Sequence, residues 1–155
     1  MRQVAFVLLA ALGITGCAAQ AQRNPAPNPT DAAAPTSASV GDLRGTDWRV
    51  IEVEGTAVPG GVIATLRLGD GRASGKAGCN AYGASWETSA DGGIHFGQTM
   101  STKMTCLEPA GAMQVERGVF DALQHAARVL RADGKLVLLD ASGQPLATLV
   151  PEGGT

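Results

Sequence analysis

The chain has 155 residues, 45% of them hydrophobic, and a formal charge of −2 at pH 7. That length suits a single domain large enough to bury a core. The composition is that of a globular domain, and the lack of any basic block argues against a nucleic-acid partner.

Arg2 precedes an apolar stretch at residues 4–14, and small residues then lead to Cys17. This is the layout of a signal peptide over residues 1–16. The stretch is too short for a transmembrane helix, which needs roughly 20 residues. The junction Ile14-Thr15-Gly16-Cys17 resembles a bacterial lipobox, although Leu is commoner than Ile at its first position. That resemblance implies a lipidated Cys17 as the first mature residue, anchored to a membrane by its acyl chains. Ala18 and Ala19 follow without the Asp of an inner-membrane retention signal, so the expected address is the periplasmic face of the outer membrane. Ordinary secretion with cleavage elsewhere is the competing reading. Residues 18–42 are dominated by Ala, Pro, Ser, Thr, Asn and Gln, and read as a flexible tether. Its average span would be roughly 25–30 Å.

The domain proper runs over residues 43–150, with residues 151–155 as a frayed tail. Residues 48–53 read as a strand, with Trp48 and Val50 on one face and Ile51 and Val53 on the other. In residues 62–68, Val62, Ala64, Leu66 and Leu68 share a face, and Asp70-Gly71 marks a tight hairpin. A third strand at 72–77 enters the glycine-rich stretch around Gly78, Cys79 and Asn80. Residues 84–88 form a fourth strand carrying Trp86, and Ile94 and Phe96 mark a short fifth. Residues 99–109 show no consistent period.

Residues 110–126 read as the single helix, with Met113, Val119, Phe120 and Leu123 on its apolar face. Gly118 weakens that helix by about 1 kcal/mol relative to Ala, so packing must hold it. Asp133-Gly134 then joins strands at 128–132 and 135–140, and a last strand follows at 145–150. Short turns around one helix indicate an α+β fold. The expected sheet is antiparallel, a curved sheet or open barrel of about seven to eight strands.

These blocks are similar to those of one family. Leu43-x-Gly45-Thr46-x-Trp48, Asp70-Gly71-Arg72, Gly75-x-x-Gly78-Cys79-Asn80-x-Tyr82, Thr102-Lys103-Met104-x-Cys106 and Met113-x-x-Glu116 together resemble the META domain, the family of the heat-shock protein HslJ. The resemblance covers essentially all of residues 43–150. It implies an antiparallel sheet with one helix, an envelope setting, and no established catalysis. HslJ relatives are linked with heat shock and novobiocin tolerance, and such domains have been likened to secretin pilot lipoproteins. Ala81 departs from the basic or polar residue that commonly follows the Asn, and Gly83 stands one place early.

With Cys17 lipidated, Cys79 and Cys106 remain in an oxidising compartment, which favours a disulfide. A reactive or metal-bound pair is the alternative. Cys79, His95 and Cys106 make only a loose zinc set, and His95 lies opposite Ile94 and Phe96, so no metal or other cofactor is expected. Gly71–Ala77 looks like a phosphate-binding loop but is one residue short and has Ala77 where a hydroxyl is needed. Glu116 reads as a carboxylate paired with an arginine or with backbone donors. Trp48, Gly78, Trp86, Glu116 and Phe120 are the expected scaffold, and no catalytic residue is assigned.

The leading reading is a non-enzymatic envelope lipoprotein that binds an envelope protein or a small hydrophobic ligand. The alternative is a secreted inhibitor of a lysozyme or protease, with a turn at Asn80, Ala81, Tyr82, Gly83 and Ala84 as its binding loop.

Overall fold

The structure, a computed structural model, describes residues 43–153. The expected signal peptide, Cys17, the tether and the last two residues of the tail lie outside the described residues. The strands are β1 (Thr46–Val53), β2 (Thr56–Ala57), β3 (Ile63–Leu68), β4 (Arg72–Gly78), β5 (Ala81–Thr88), β6 (Ile94–Phe96), β7 (Met100–Ser101), β8 (Arg128–Ala132), β9 (Lys135–Leu139) and β10 (Pro145–Pro151). Helix α1 (Ala112–His125) lies between β7 and β8.

All recorded pairs are antiparallel, in the order β6-β5-β4-β3-β1-β10-β9-β8, with β2 added to β1 and β7 to β5. The ends of that eight-strand path nearly meet. Gly93 bridges Arg128, and the Ile94 amide donates to the Ala127 carbonyl at 3.1 Å. The sheet is therefore a barrel closed at one corner, and its inner face is the core. Trp48, Val50, Ala64, Leu66, Leu68, Leu136, Leu138 and Leu149 all point inward and are buried.

Two departures from simple alternation have clear causes. The pairing of β1 with β10 shifts between Val50 and Glu52, so Ile51 is an inserted residue. The bulge turns Val53 inward, onto the same side as Val50, rather than opposite it as alternation implies. Strand β5 starts three residues earlier than residue 84, because Ala81, Tyr82 and Gly83 pair with Lys76, Gly75 and Ser74. Residues 78 and 79 alone make the turn, closed by the Ala77 amide on the Asn80 carbonyl at 2.9 Å. Gly78 takes a φ of 82° there, a conformation open to glycine at little steric cost.

Helix α1 closes over the barrel interior. Its buried face is Ala112, Val115, Glu116, Gly118, Val119, Ala122 and Leu123. The face is rotated from the expected one, leaving Met113 and Phe120 only partly buried at its flanks. Gly118 explains the rotation: a Cβ there would lie 2.9 Å from Val53 Cγ2, so the helix rests its smallest residue on β1. Between helix and sheet a void of about 10 Å³ is lined by residues such as Leu66, Tyr82, Val119 and Leu149. Another of about 50 Å³ lies between the start of α1 and Val53 and Ala57. The smaller is at the lower limit for a single water. None of the described helices is long and apolar enough to cross a membrane.

Candidate functional site

Asn80 is the most heavily engaged polar side chain in the described domain, and it is 1% exposed. Its Oδ1 accepts from the Thr102 hydroxyl at 2.7 Å and from the Met104 amide at 2.8 Å. Its Nδ2 donates to the Met104 carbonyl at 2.9 Å and to Glu116 Oε2 at 2.9 Å. The Asn80 backbone N–H donates to the same Oε2 at 2.8 Å. Glu116 is thus a buried carboxylate satisfied by backbone and amide donors, with no arginine involved. One side chain thereby ties the start of β5, the segment after β7 and the first half of α1.

The Cys79–Cys106 disulfide lies beside this junction and closes a loop of 27 residues. It fastens the same segment a second time. Asn80 and the disulfide together hold residues 102–106, which have no regular secondary structure of their own. On and beside that segment Met100 is 77% exposed, Met104 55% and Leu107 85%. The peptide bond Glu108–Pro109 is cis.

Tyr82 is buried on the same inward face of β5, two residues beyond Asn80. Its hydroxyl donates to the Thr65 carbonyl at 2.9 Å, and burial pushes its phenol pKa up, above the ordinary range. Gly75 makes that reach available: a Cβ there would sit 2.0 Å from the Thr65 carbonyl oxygen and 3.1 Å from the Tyr82 hydroxyl. Tyr82 also packs edge-on against Phe120, with ring centroids 5.9 Å apart.

The expected binding turn at residues 80–84 is therefore corrected. Asn80, Tyr82 and Ala84 point into the core, Gly83 is half-buried, and Ala81 alone is exposed. Residues 81–84 belong to a strand whose side chains alternate, so they form no projecting loop. The exposed apolar loop in this neighbourhood is residues 102–109, which the sequence left unassigned. Its signal was the block Thr102-Lys103-Met104-x-Cys106, whose Thr102 hydroxyl and Met104 backbone are the partners of Asn80.

The remaining candidates are structural in their placement. Trp48 Nε1 donates to Thr46 Oγ1 at 2.7 Å, and the Arg131 guanidinium sits 5.3 Å from the Trp48 ring centroid. Trp86 Nε1 donates to the Gly69 carbonyl at 2.9 Å. Phe120 lines a surface depression of about 300 Å³ with Gln98, Thr99, Ser101 and Gln124. His95 is exposed opposite Ile94 and Phe96, in another depression of about 520 Å³ at the barrel corner. Among the described residues no three His, Cys, Asp or Glu side chains gather as metal ligands, and Cys79 and Cys106 are joined to each other.

The META domain family model matches residues 41–152, spanning the barrel, the helix and the Asn80 junction. The chain belongs to the META domain family. Its fold is similar to the NMR structure of a protein from Burkholderia xenovorans, at 28% identity and a TM-score of 0.64. That match covers 84% of this chain and 97% of the other. A second protein with an NMR structure matches at 20% identity and a TM-score of 0.57, covering 72% of this chain and 93% of its own. That second likeness speaks for the fold alone. No curated protein matches the chain.

Proposed function

We propose that this META-domain chain is a non-enzymatic lipoprotein of the bacterial envelope. In this reading Cys17 anchors it at the periplasmic face of the outer membrane, and its surface recognises a protein partner in envelope stress or antibiotic tolerance. The observation that supports recognition by the surface is the filled interior, where the spaces between helix and sheet are about 10 and 50 Å³. A small hydrophobic ligand enclosed in the barrel would need a chamber of some 300 Å³ or more, so the protein partner is the favoured half of the expectation. The surface best suited to it is the exposed apolar group Met104 and Leu107 on the pinned loop.

Two measurements test the parts separately. Radiolabelled palmitate should enter the wild-type chain in cells and not Cys17→Ser; equal incorporation removes the anchor. A photo-crosslinker at Leu107 should give one recurrent adduct from intact envelopes, lost in Met104→Ser. A crosslinker that yields no adduct from repeated preparations rules out recognition by this loop.

The hydrolase inhibitor is kept as a second reading because a rigid, exposed loop can enter a cleft with little ordering cost. The loop that would do so is residues 102–109 rather than 80–84. Lysozyme and protease rates unaltered by excess chain would dismiss it.

A further inference from the structure

Direct cross-strand partners lie on the same face of a sheet. On the outer face of the barrel Arg49 stands opposite Thr65, and Arg67 opposite Ser74. Arg72 stands opposite Ser85, and Lys76 opposite Ala81. Four cations from the adjacent strands β1, β3 and β4 therefore share one surface, and all four are exposed. Strand spacing and rise put each Cα roughly 8 Å from that of the next cation. The concentration runs against a chain whose formal charge is −2.

Two of the acidic groups on or beside this face are paired, whereas Glu87 on β5 and Glu152 beyond β10, at its margins, make no ion pair among the described residues. Asp47 takes two hydrogen bonds from Arg67 Nη1, at 3.0 and 2.9 Å. Asp70, in the turn beyond Leu68, pairs with Arg44. Among the described residues, Arg49, Arg72 and Lys76 make no salt bridge. The floor between the cations is low: Thr65, Ser74, Ala81 and Gly83 are small. A Cβ at Gly83 would lie 3.1 Å from Arg72 Nη2, so that guanidinium spreads across the floor rather than standing off it. At the margins two apolar side chains point outward on the same face. Ile63 is 57% exposed on β3 and Met100, opposite Gly83, is 77% exposed.

We propose that this face docks the barrel onto an anionic lipid surface. Headgroup phosphates would lie over the floor between Arg49, Arg67, Arg72 and Lys76, with Ile63 and Met100 in the headgroup–acyl boundary. Cations with exposed apolar neighbours are the chemistry of an interfacial contact. The inference rests on the envelope reading above only in that a lipid anchor would keep the face close to a bilayer.

The test is partition of the full chain onto phosphatidylcholine vesicles with and without an equal part of phosphatidylglycerol. The wild type should favour the anionic vesicles about tenfold or more, and molar salt should erase the preference. Arg49→Glu/Arg72→Glu/Lys76→Glu should lose it, and the corresponding triple Gln variant, which adds no acidic charge to the barrel, should lose most of it. The N-terminal segment is identical in every variant, so the difference between them reads the barrel face alone. A wild type that partitions equally, or a triple Glu variant that keeps the preference, overturns the proposal. Palmitate incorporation does not depend on these three residues, so a failed docking test and a failed anchor remain distinct results.

Discussion

Two irregular stretches of this domain are held in opposite ways. The turn after β9 is held by its own residues: Asp140 Oδ1 accepts from the Ser142 amide at 2.8 Å, the Ser142 hydroxyl at 2.7 Å and the Gln144 amide at 2.9 Å. Residues 102–106 make their bonds elsewhere, to Asn80 more than 20 positions back and through Cys106 to Cys79. The first stretch would keep its shape with little of the domain around it. The second has a shape only because the barrel, the helix and the turn at 78–79 are already in place. Local turns punctuate the chain, whereas the Asn80 junction fastens it.

The widest gap between the two regions should come from Asn80→Ala. That change strands the Met104 amide and carbonyl and removes a donor from the buried Glu116 carboxylate. Each such group left unpaired costs about 1–3 kcal/mol, so urea unfolding should show a loss of about 4 kcal/mol or more. A loss under about 1 kcal/mol would mean that the junction is not what holds the segment. Next comes Cys79→Ala/Cys106→Ala. Closing a loop of 27 residues predicts about 3.5 kcal/mol by the chain-entropy model. Measuring this double variant with Asn80→Ala, singly and together, would sharpen the comparison, since two fastenings of one segment should be non-additive.

Tyr82→Phe should have a smaller effect, about 1 kcal/mol at neutral pH, from the lost bond to the Thr65 carbonyl. Its clearer signature is alkaline. The folded phenol pKa is raised above its ordinary value near 10 by burial. The stability linked to it is complete below that ordinary value and is lost as pH rises through the folded value. Stability of the wild type should therefore decline above about pH 10 more steeply than that of Tyr82→Phe. Tyr82 is the single tyrosine in the chain, so phenolate absorbance reports it alone. Parallel alkaline declines in the two proteins would show that Tyr82 is not protected.

The same contrast decides what could be read from the sequence. The hairpins at Asp70-Gly71 and Asp133-Gly134 were legible because turn chemistry and period-two alternation are both local. The face shared by Val62, Ala64, Leu66 and Leu68 was legible for the same reason, and all four are buried. The bulge at Ile51 was not, since nothing in the run 48–53 marks an inserted residue; it is imposed by the register with β10. The start of β5 was hidden because Gly78, Gly83 and three alanines look like turn or linker, while Tyr82 is placed by a carbonyl on β3. Val115 was missed because Met113 and Phe120 outweigh it in hydrophobicity, and only the seat of Gly118 on Val53 sets the helix rotation. Of the site, Cys79, Cys106 and Glu116 were visible as residues needing partners. That Asn80 would be the common partner of Glu116 and of residues 102–104 depends on contacts between distant segments, which periodicity does not carry. The outer cationic face was hidden likewise: its four residues are scattered along 28 positions of sequence and meet through strand pairing.

The smallest effect should come from the locally held turn. The Ser142 hydroxyl and the Gln144 amide hold the Asp140 carboxyl below the ordinary carboxylate range. A depressed folded value means that the linked stability is present above the unfolded carboxylate value, near 3.9, and is lost as pH falls through the folded one. Asp140 lies at the surface, partly exposed, so screening makes its effect on global unfolding slight. Asp140→Asn should leave urea unfolding at neutral pH close to wild type, because an amide oxygen can still accept from the same donors. The effect should instead be local: in the wild type the Ser142 and Gln144 amides should show acid-induced NMR shifts below about pH 4, absent in the variant. Loss of global stability comparable to that of Asn80→Ala would break the distinction, since a turn closed by its own side chains would then be fastening the barrel too.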